Sequence, residues 1–199
     1  PTTADADFAE IMVNPVKAPT KNRHYISTGS GIELLPVGGG EVTIANTDVF
    51  NMDVVDAIRV ACENMPLPPP PVEFEGDMAS TDAPLRVLLV SPDQYAAFVQ
   101  SSNFRTLQAN AMARAQQAKM NPLFMGEAGL WNGILIVKMP KPIRFYPGDA
   151  IKYCASYTSE TESSAIVPAA FGAGYAVDRA ILLGGQALAE AWGKHGKSG

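Results

Sequence analysis

The chain has 199 residues, 47% hydrophobic and 18% charged, with a formal net charge of -5 and a pI near 5.0. That length allows one ordinary domain or two small lobes with an interior, and the composition excludes wholesale disorder. Scattered Lys and Arg exclude the basic stripe that releases counterions from nucleic-acid phosphates, and no apolar run nears the roughly 20 residues that span a bilayer.

The opening Pro1-Thr2-Thr3-Ala4-Asp5-Ala6-Asp7 has neither the basic cap nor the apolar core of a signal peptide. It also lacks an initiator Met, so a processed chain or a piece of something longer is expected. Residues 1–47 show little periodicity and are punctuated by Pro15, Pro19, Gly29, Gly31, Pro36 and Gly38-Gly39-Gly40. Such a segment reads as an extended, loop-rich arm that relies on neighbouring structure. From Asn51 the pattern becomes helical. Asn51 can cap, Asp53 and Asp56 suit the positive helix end, and Met52, Val55, Ile58 and Cys62 share a face. The helix should stop by Asn64, because Met65-Pro66 and then Pro68-Pro69-Pro70-Pro71 cannot continue it. The proline run reads as a stiff polyproline II connector.

After a polar turn over 76–84, Arg86-Val87-Leu88-Leu89-Val90 has the composition of a buried strand. Ser91-Pro92 supplies an N-cap and a first-turn proline for a short helix carrying Tyr95, Phe98 and Val99. A second helix is expected over about 104–119, where Ala, Gln, Arg and Met predominate. A strand follows over 133–139, and residues 151–157 alternate as in a paired strand. Ser and Thr over 158–164 suggest a surface loop, residues 176–183 a core strand, and Gln186 to Trp192 a short helix ended by Gly193. The tail from Lys194 is expected to fray.

The usual chemistries lack their residues. Gly38-Gly39-Gly40 is followed by Glu41 and the β-branched Val42, Thr43 and Ile44, so it reads as a turn between strands and not as a phosphate cradle opening into a helix. His24 and His195, in the arm and the tail, are poorly placed as the base of a Ser-His-Asp group, and Thr28-Gly29-Ser30-Gly31 matches a nucleophile elbow only in part. Asp53 with Asp56 fits favourable charge at a helix start, and Glu160 with Glu162 a solvated loop. Cys62 and Cys154 belong to no CxxC or Cys/His pattern. Two buried free thiols are favoured over a disulfide, no zinc or iron ligand set is evident, and no cofactor is expected.

Two blocks remain. Asn121-Pro122-Leu123-Phe124-Met125-Gly126-Glu127-Ala128-Gly129-Leu130 hands over at Trp131-Asn132-Gly133 to the apolar run Ile134-Leu135-Ile136-Val137. Later, Val177-Asp178-Arg179-Ala180-Ile181-Leu182-Leu183-Gly184-Gly185-Gln186-Ala187 closes an apolar run with glycines. By themselves, Phe124, Leu130 and Trp131 read as anchors under a loop, Gly126 and Gly129 as positive-φ positions, Arg179 as a structural salt-bridge partner, and Gly184-Gly185 as a tight turn at close packing.

In this order the blocks resemble those of podovirus-type tailed-phage major capsid proteins, an "NPLFTGxLGxxNGVxV"-like block before an "RAxLLGxQA"-like one. Asn22-Arg23-His24-Tyr25 resembles an upstream tract of that family, and Leu85 to Tyr95 its strand-then-"P-x-Q" segment. Met125 stands where the family has a small polar residue, and Lys138-Met139 where it often has His-Glu. The resemblance implies an α+β Johnson fold, represented by the axial domain plus part of the peripheral domain. Residues 1–50 would be a loop-rich arm of the peripheral domain, 51–193 an axial-domain-like core with adjoining peripheral elements, and 194–199 a flexible tail. The long spine helix and extended hairpin would ordinarily precede residue 1, and further strands would follow Gly199.

It further implies a non-enzymatic structural subunit of an icosahedral bacteriophage head, assembled in the host cytoplasm into capsomers around the DNA genome. Expected partners are copies of the same chain, with scaffolding, portal or decoration proteins as further candidates, only weak non-specific DNA contact and no membrane. The assembly motif would comprise Asn121, Pro122, Phe124, Gly126, Gly129, Trp131, Asn132, Gly133, Arg179, Leu182, Leu183, Gly184, Gln186 and Ala187. Rival classes are a small α/β enzyme with an unrecognised site, and a monomeric phage accessory or binding module.

Overall fold

The computed structural model describes residues 18–35, 40–72, 86–106, 130–156, 161–171 and 174–185. In chain order its elements are β1 (Tyr25–Ser27), β2 (Ile32–Leu34), α1 (Met52–Asn64), β3 (Arg86–Val90), α2 (Pro92–Gln100), β4 (Leu130–Trp131) and β5 (Ile134–Lys138). There follow β6 (Ile143–Phe145), β7 (Ala150–Cys154), β8 (Glu162–Ile166), β9 (Val177–Arg179) and β10 (Ile181–Leu183), with 3-10 turns at Lys21–Arg23 and Ala169–Phe171. Two compact units share the chain. One comprises Pro1–Asp48 and Arg144–Val177, the other Val49–Ile143 and Asp178–Gly199. β6 and β9 form a separate two-stranded ladder.

In the first unit the expected arm is more structured than its composition suggests. β1 and β2 form an antiparallel hairpin, with Tyr25 opposite Leu34 and Ser27 opposite Ile32. β7 and β8 pair antiparallel from Ala150↔Ile166 to Cys154↔Glu162. Short stretches of the N-terminal segment extend this ladder on both sides. The Cys154 amide donates to the Pro19 carbonyl at 3.0 Å, and the Val42 amide to that of Ile166 at 2.9 Å. The reason is apolar: Ile26, Leu35 and Val42 bury themselves with Ile151, Tyr153, Ala165 and Val167 in one core. Glu162-Ser163-Ser164, expected in a loop, belong instead to β8. The strand is held by its ladder while those side chains remain exposed or half-buried, so composition marked the wet face and missed the backbone.

The second unit is built on a four-stranded sheet of order β10-β3-β5-β4. β3 and β5 run parallel, from Arg86↔Ile134 to Val90↔Lys138, while β10 lies antiparallel on the other side of β3. Leu88, Val90, Ile134 and Ile136 are buried, and α2 packs on β5. Phe98 of α2 lies between Phe50 and Phe104, with ring centroids 5.6 and 4.9 Å away.

Both helices start as their sequences require. The Asn51 side-chain oxygen accepts the Val54 amide at 3.1 Å, and α1 ends where Met65, preceding Pro66, is forced into extended backbone. At α2, Ser91 and Gln94 form a reciprocal capping box with Pro92 in the first turn. Residues 102–106 are helical, and the rest of the expected 104–119 helix lies outside the described residues.

The continuous core strand expected over 176–183 is broken at Ala180 into β9 and β10, which join different ladders. All six strand residues are half-buried, because β10 is the outer strand of its sheet and β9 lies in a two-stranded ladder. The expected helix over 186–192 and the tail fall outside the described residues, as do 36–39 of the glycine-rich turn.

Candidate functional site

Three tracts singled out in the sequence become neighbouring strands of one sheet. β3 carries Val87 to Val90, β5 continues the Trp131-Asn132-Gly133 block, and β10 carries Leu182 and Leu183. Leu182 faces Leu88 and Leu183 faces Val87 on one side of β3, while Leu135 faces Val87 on the other. The sequence blocks, separated by dozens of residues, therefore converge on the strand between them.

At the β5 side, Trp131-Asn132-Gly133 forms the turn of the β4–β5 hairpin, in which Trp131 pairs with Ile134. Asn132 and Gly133 both have positive φ, 46° and 70°. That is the backbone of a two-residue turn whose hand matches strand twist, and Asn-Gly is the dipeptide that tolerates it best. α1 fastens this turn. Asp56 Oδ1 accepts the Trp131 indole N–H at 2.7 Å and the Asn132 side-chain N–H at 2.9 Å. The Gly133 carbonyl accepts the Arg86 amide at 3.0 Å, tying the turn to the start of β3.

On the β10 side, Gly184 and Gly185 lie against the proline segment. The Gly185 amide donates to the Pro70 carbonyl at 2.9 Å. A Cβ added to Gly184 would stand 2.8 Å from the Pro70 oxygen, and one on Gly185 would run into the Pro71 oxygen. The glycines are thus required by close backbone approach. Arg86 also reaches this segment, donating from Nε to the Pro69 carbonyl at 3.1 Å. Although charged, Arg86 is only 5% exposed, and its Nη1 has no hydrogen-bond partner.

Asp56, Arg86 and the carbonyls of Pro69 and Pro70 therefore organise the site, and sequence reasoning assigned none of them that role. Asp56 was legible only as charge near a helix start. A clearer signal was Arg86, a lone cation opening an apolar strand. Gln94, read as part of α2, also donates from Nε2 to the Asp178 carbonyl at 2.9 Å. Arg179 stands half-buried on β9, where desolvation pulls its pKa below the usual arginine value. Asn121, Pro122, Phe124, Gly126, Gly129, Gln186 and Ala187 lie outside the described residues.

Cys62 is a buried free thiol whose pKa is raised by burial, against the opposing fields of Arg86 and Arg59. Cys154 is likewise free and buried, as expected for both cysteines. Asp56 is engaged by two donors, and Glu162 is paired with Lys152 at 3.1 Å. Among the described residues no group of His, Cys, Asp and Glu could hold a metal ion, and no helix is long and apolar enough to cross a membrane.

Comparison with known proteins gives two matches. A family model described as phage capsid protein matches residues 2–199. Among solved structures, the chain is similar to the capsid of Ralstonia phage GP4, at 19% identity and a TM-score of 0.51. The alignment covers 98% of this chain and 48% of that one, so the chain spans about half the length of the capsid chain it matches. At that identity the likeness is one of fold, and the fold is the α+β phage-capsid one expected from the sequence. No curated protein matches.

Proposed function

Since this chain belongs to the phage capsid protein family, we propose that it is a structural subunit of an icosahedral bacteriophage head, with copies joining into capsomers around the DNA genome. The observation that carries this reading is the family match along nearly the whole chain. The sheet agrees with it, because those family-like residues that the structure describes are spent on strand pairing, a turn and a close backbone contact. Family and fold imply a structural, non-enzymatic virion component.

Residues 51–193 are assigned to an axial-domain-like core with adjoining peripheral elements, residues 1–50 to the peripheral arm and 194–199 to a tail. The clustering of Arg144–Val177 with the N-terminal segment supports placing those adjoining elements there. Assembly in the host cytoplasm, contact with scaffolding, portal or decoration proteins, and only weak non-specific DNA contact belong to the same proposal. The net charge of -5 favours the last of these. Within the shell, individually weak interfaces repeated many times give a durable container that can still correct errors during assembly.

Negative-stain microscopy and light scattering of the purified full-length product test the proposal. Capsomer rings or closed particles are expected. A strict monomer across the concentration range, under conditions where other components of the head are supplied, overturns it.

A further inference from the structure

We propose that residues 66–72 form a releasable strap, which alternates between the docked position described above and an undocked one, with the Gly185 amide and the Arg86 guanidinium as its clasps. This inference concerns the second unit alone and does not depend on the shell reading.

Among the described residues the attachment is thin over 66–71, ahead of the β-bridge at Val72, and for a physical reason. Pro66, Pro68, Pro69, Pro70 and Pro71 have no backbone N–H, so this segment meets its neighbours mainly with carbonyl oxygens. Pro69 and Pro70 each offer one, to Arg86 Nε and to the Gly185 amide. Gly184 and Gly185 have no side chains to grip the strap, and Leu67 at its start is 83% exposed. β3 beside it is paired along both edges, with five residues facing β5 and three facing β10.

Docking also carries a penalty that the structure makes visible. Arg86 Nη1 is buried with no acceptor, while Nε of the same guanidinium holds the strap. With the strap docked that donor is shut off from solvent and has no acceptor, and an opening that wets it restores hydration. Among the described residues, two hydrogen bonds and the β-bridge at Val72 stand on one side and a desolvated cationic donor on the other, which narrows the gap between the docked and undocked states. Prolines favour this arrangement further, because a stiff segment loses little conformational entropy in either position.

Amide-resolved hydrogen exchange on the full chain decides the matter. The Gly185 amide is the natural reporter, since its acceptor is the Pro70 carbonyl. It should exchange on the order of 100-fold faster than the amides of β3, through a local opening insensitive to low urea. In Gly184→Ala, whose new methyl would press on Pro69 and Pro70, Gly185 exchange should rise about tenfold further while β3 is unchanged. Equal protection and equal urea dependence for Gly185 and β3 in the wild type overturn the proposal. So does acceleration of β3 together with Gly185 in the variant, because the segment would then be an integral part of the sheet.

Discussion

Replacing Asp56 with alanine removes the acceptor shared by Trp131 and Asn132, at 2.7 and 2.9 Å, without touching the hairpin itself. Hydrogen bonds to a charged group contribute about 1.5–3 kcal/mol. The lower end applies, because Trp131 is only half-buried and Asn132, being exposed, regains a water partner. Alanine returns about 0.5 kcal/mol through its higher helix propensity in α1. The net loss is then about 1 kcal/mol. At a urea slope of about 2 kcal/mol/M, the unfolding midpoint should fall by about 0.5 M. Tryptophan fluorescence and far-ultraviolet circular dichroism, followed in the same titration, measure it. Asp56→Asn keeps an acceptor oxygen without the charge and should recover about half of the loss. An alanine midpoint within about 0.2 M of the wild type would refute the assignment of Asp56 as the fastening for the turn.

Gly133→Val places a β-branched residue at a φ of 70° and should cost about 1–3 kcal/mol, read from the same urea titration, whereas Asn132→Gly, which gives up the bond to Asp56 but relaxes the positive φ, should cost less than about 1 kcal/mol. Ser91→Ala removes one half of a buried capping box and should destabilise by about 1–2 kcal/mol, with far-ultraviolet signal lost first from α2. The Lys152 ammonium, and then the Ala18 amide, hold the Glu162 carboxyl below its ordinary pKa. The folded-state pKa is the lower one, so this contribution is present above the unfolded value of about 4.3 and lost as pH falls through the folded one. Wild type and Glu162→Gln should therefore differ slightly in urea stability at pH 7 and converge in acid. A gap that widens toward low pH would reverse the assigned sign.

The elements governed by local rules were legible in the sequence. Asn51, Ser91-Pro92 and Met65-Pro66 delimit helices through capping and backbone sterics, which act within four residues. The Asn132-Gly133 turn obeys a local rule of the same kind, but Gly133 read as the start of the strand over 133–139. Pairing partners were not legible, because nothing in Arg86 to Val90 states that β5 lies on one side and β10 on the other. The break at Ala180 was invisible for the same reason, since each half of that apolar run obeys a different ladder. At the candidate site, the glycines after Leu183 announced a close approach but not its partner. Asp56 lies 75 positions from Trp131, so its role emerges only after folding has joined them.

The first unit closes its ladder between chain segments made far apart in time. Ala18 donates to Glu162 across 144 positions, and Val42 and Gly40 pair with Ile166. At a synthesis rate of roughly 5–20 residues per second, Ile26, Leu35 and Val42 wait on the order of ten seconds for their apolar partners to leave the ribosome. A ribosome-stalled chain ending near residue 140 should therefore show protease-sensitive sites in the 18–48 region that vanish once β8 has emerged. Until that moment these side chains are exposed to any other nascent copy nearby, so high expression should favour inclusion bodies and a holdase chaperone should raise the yield.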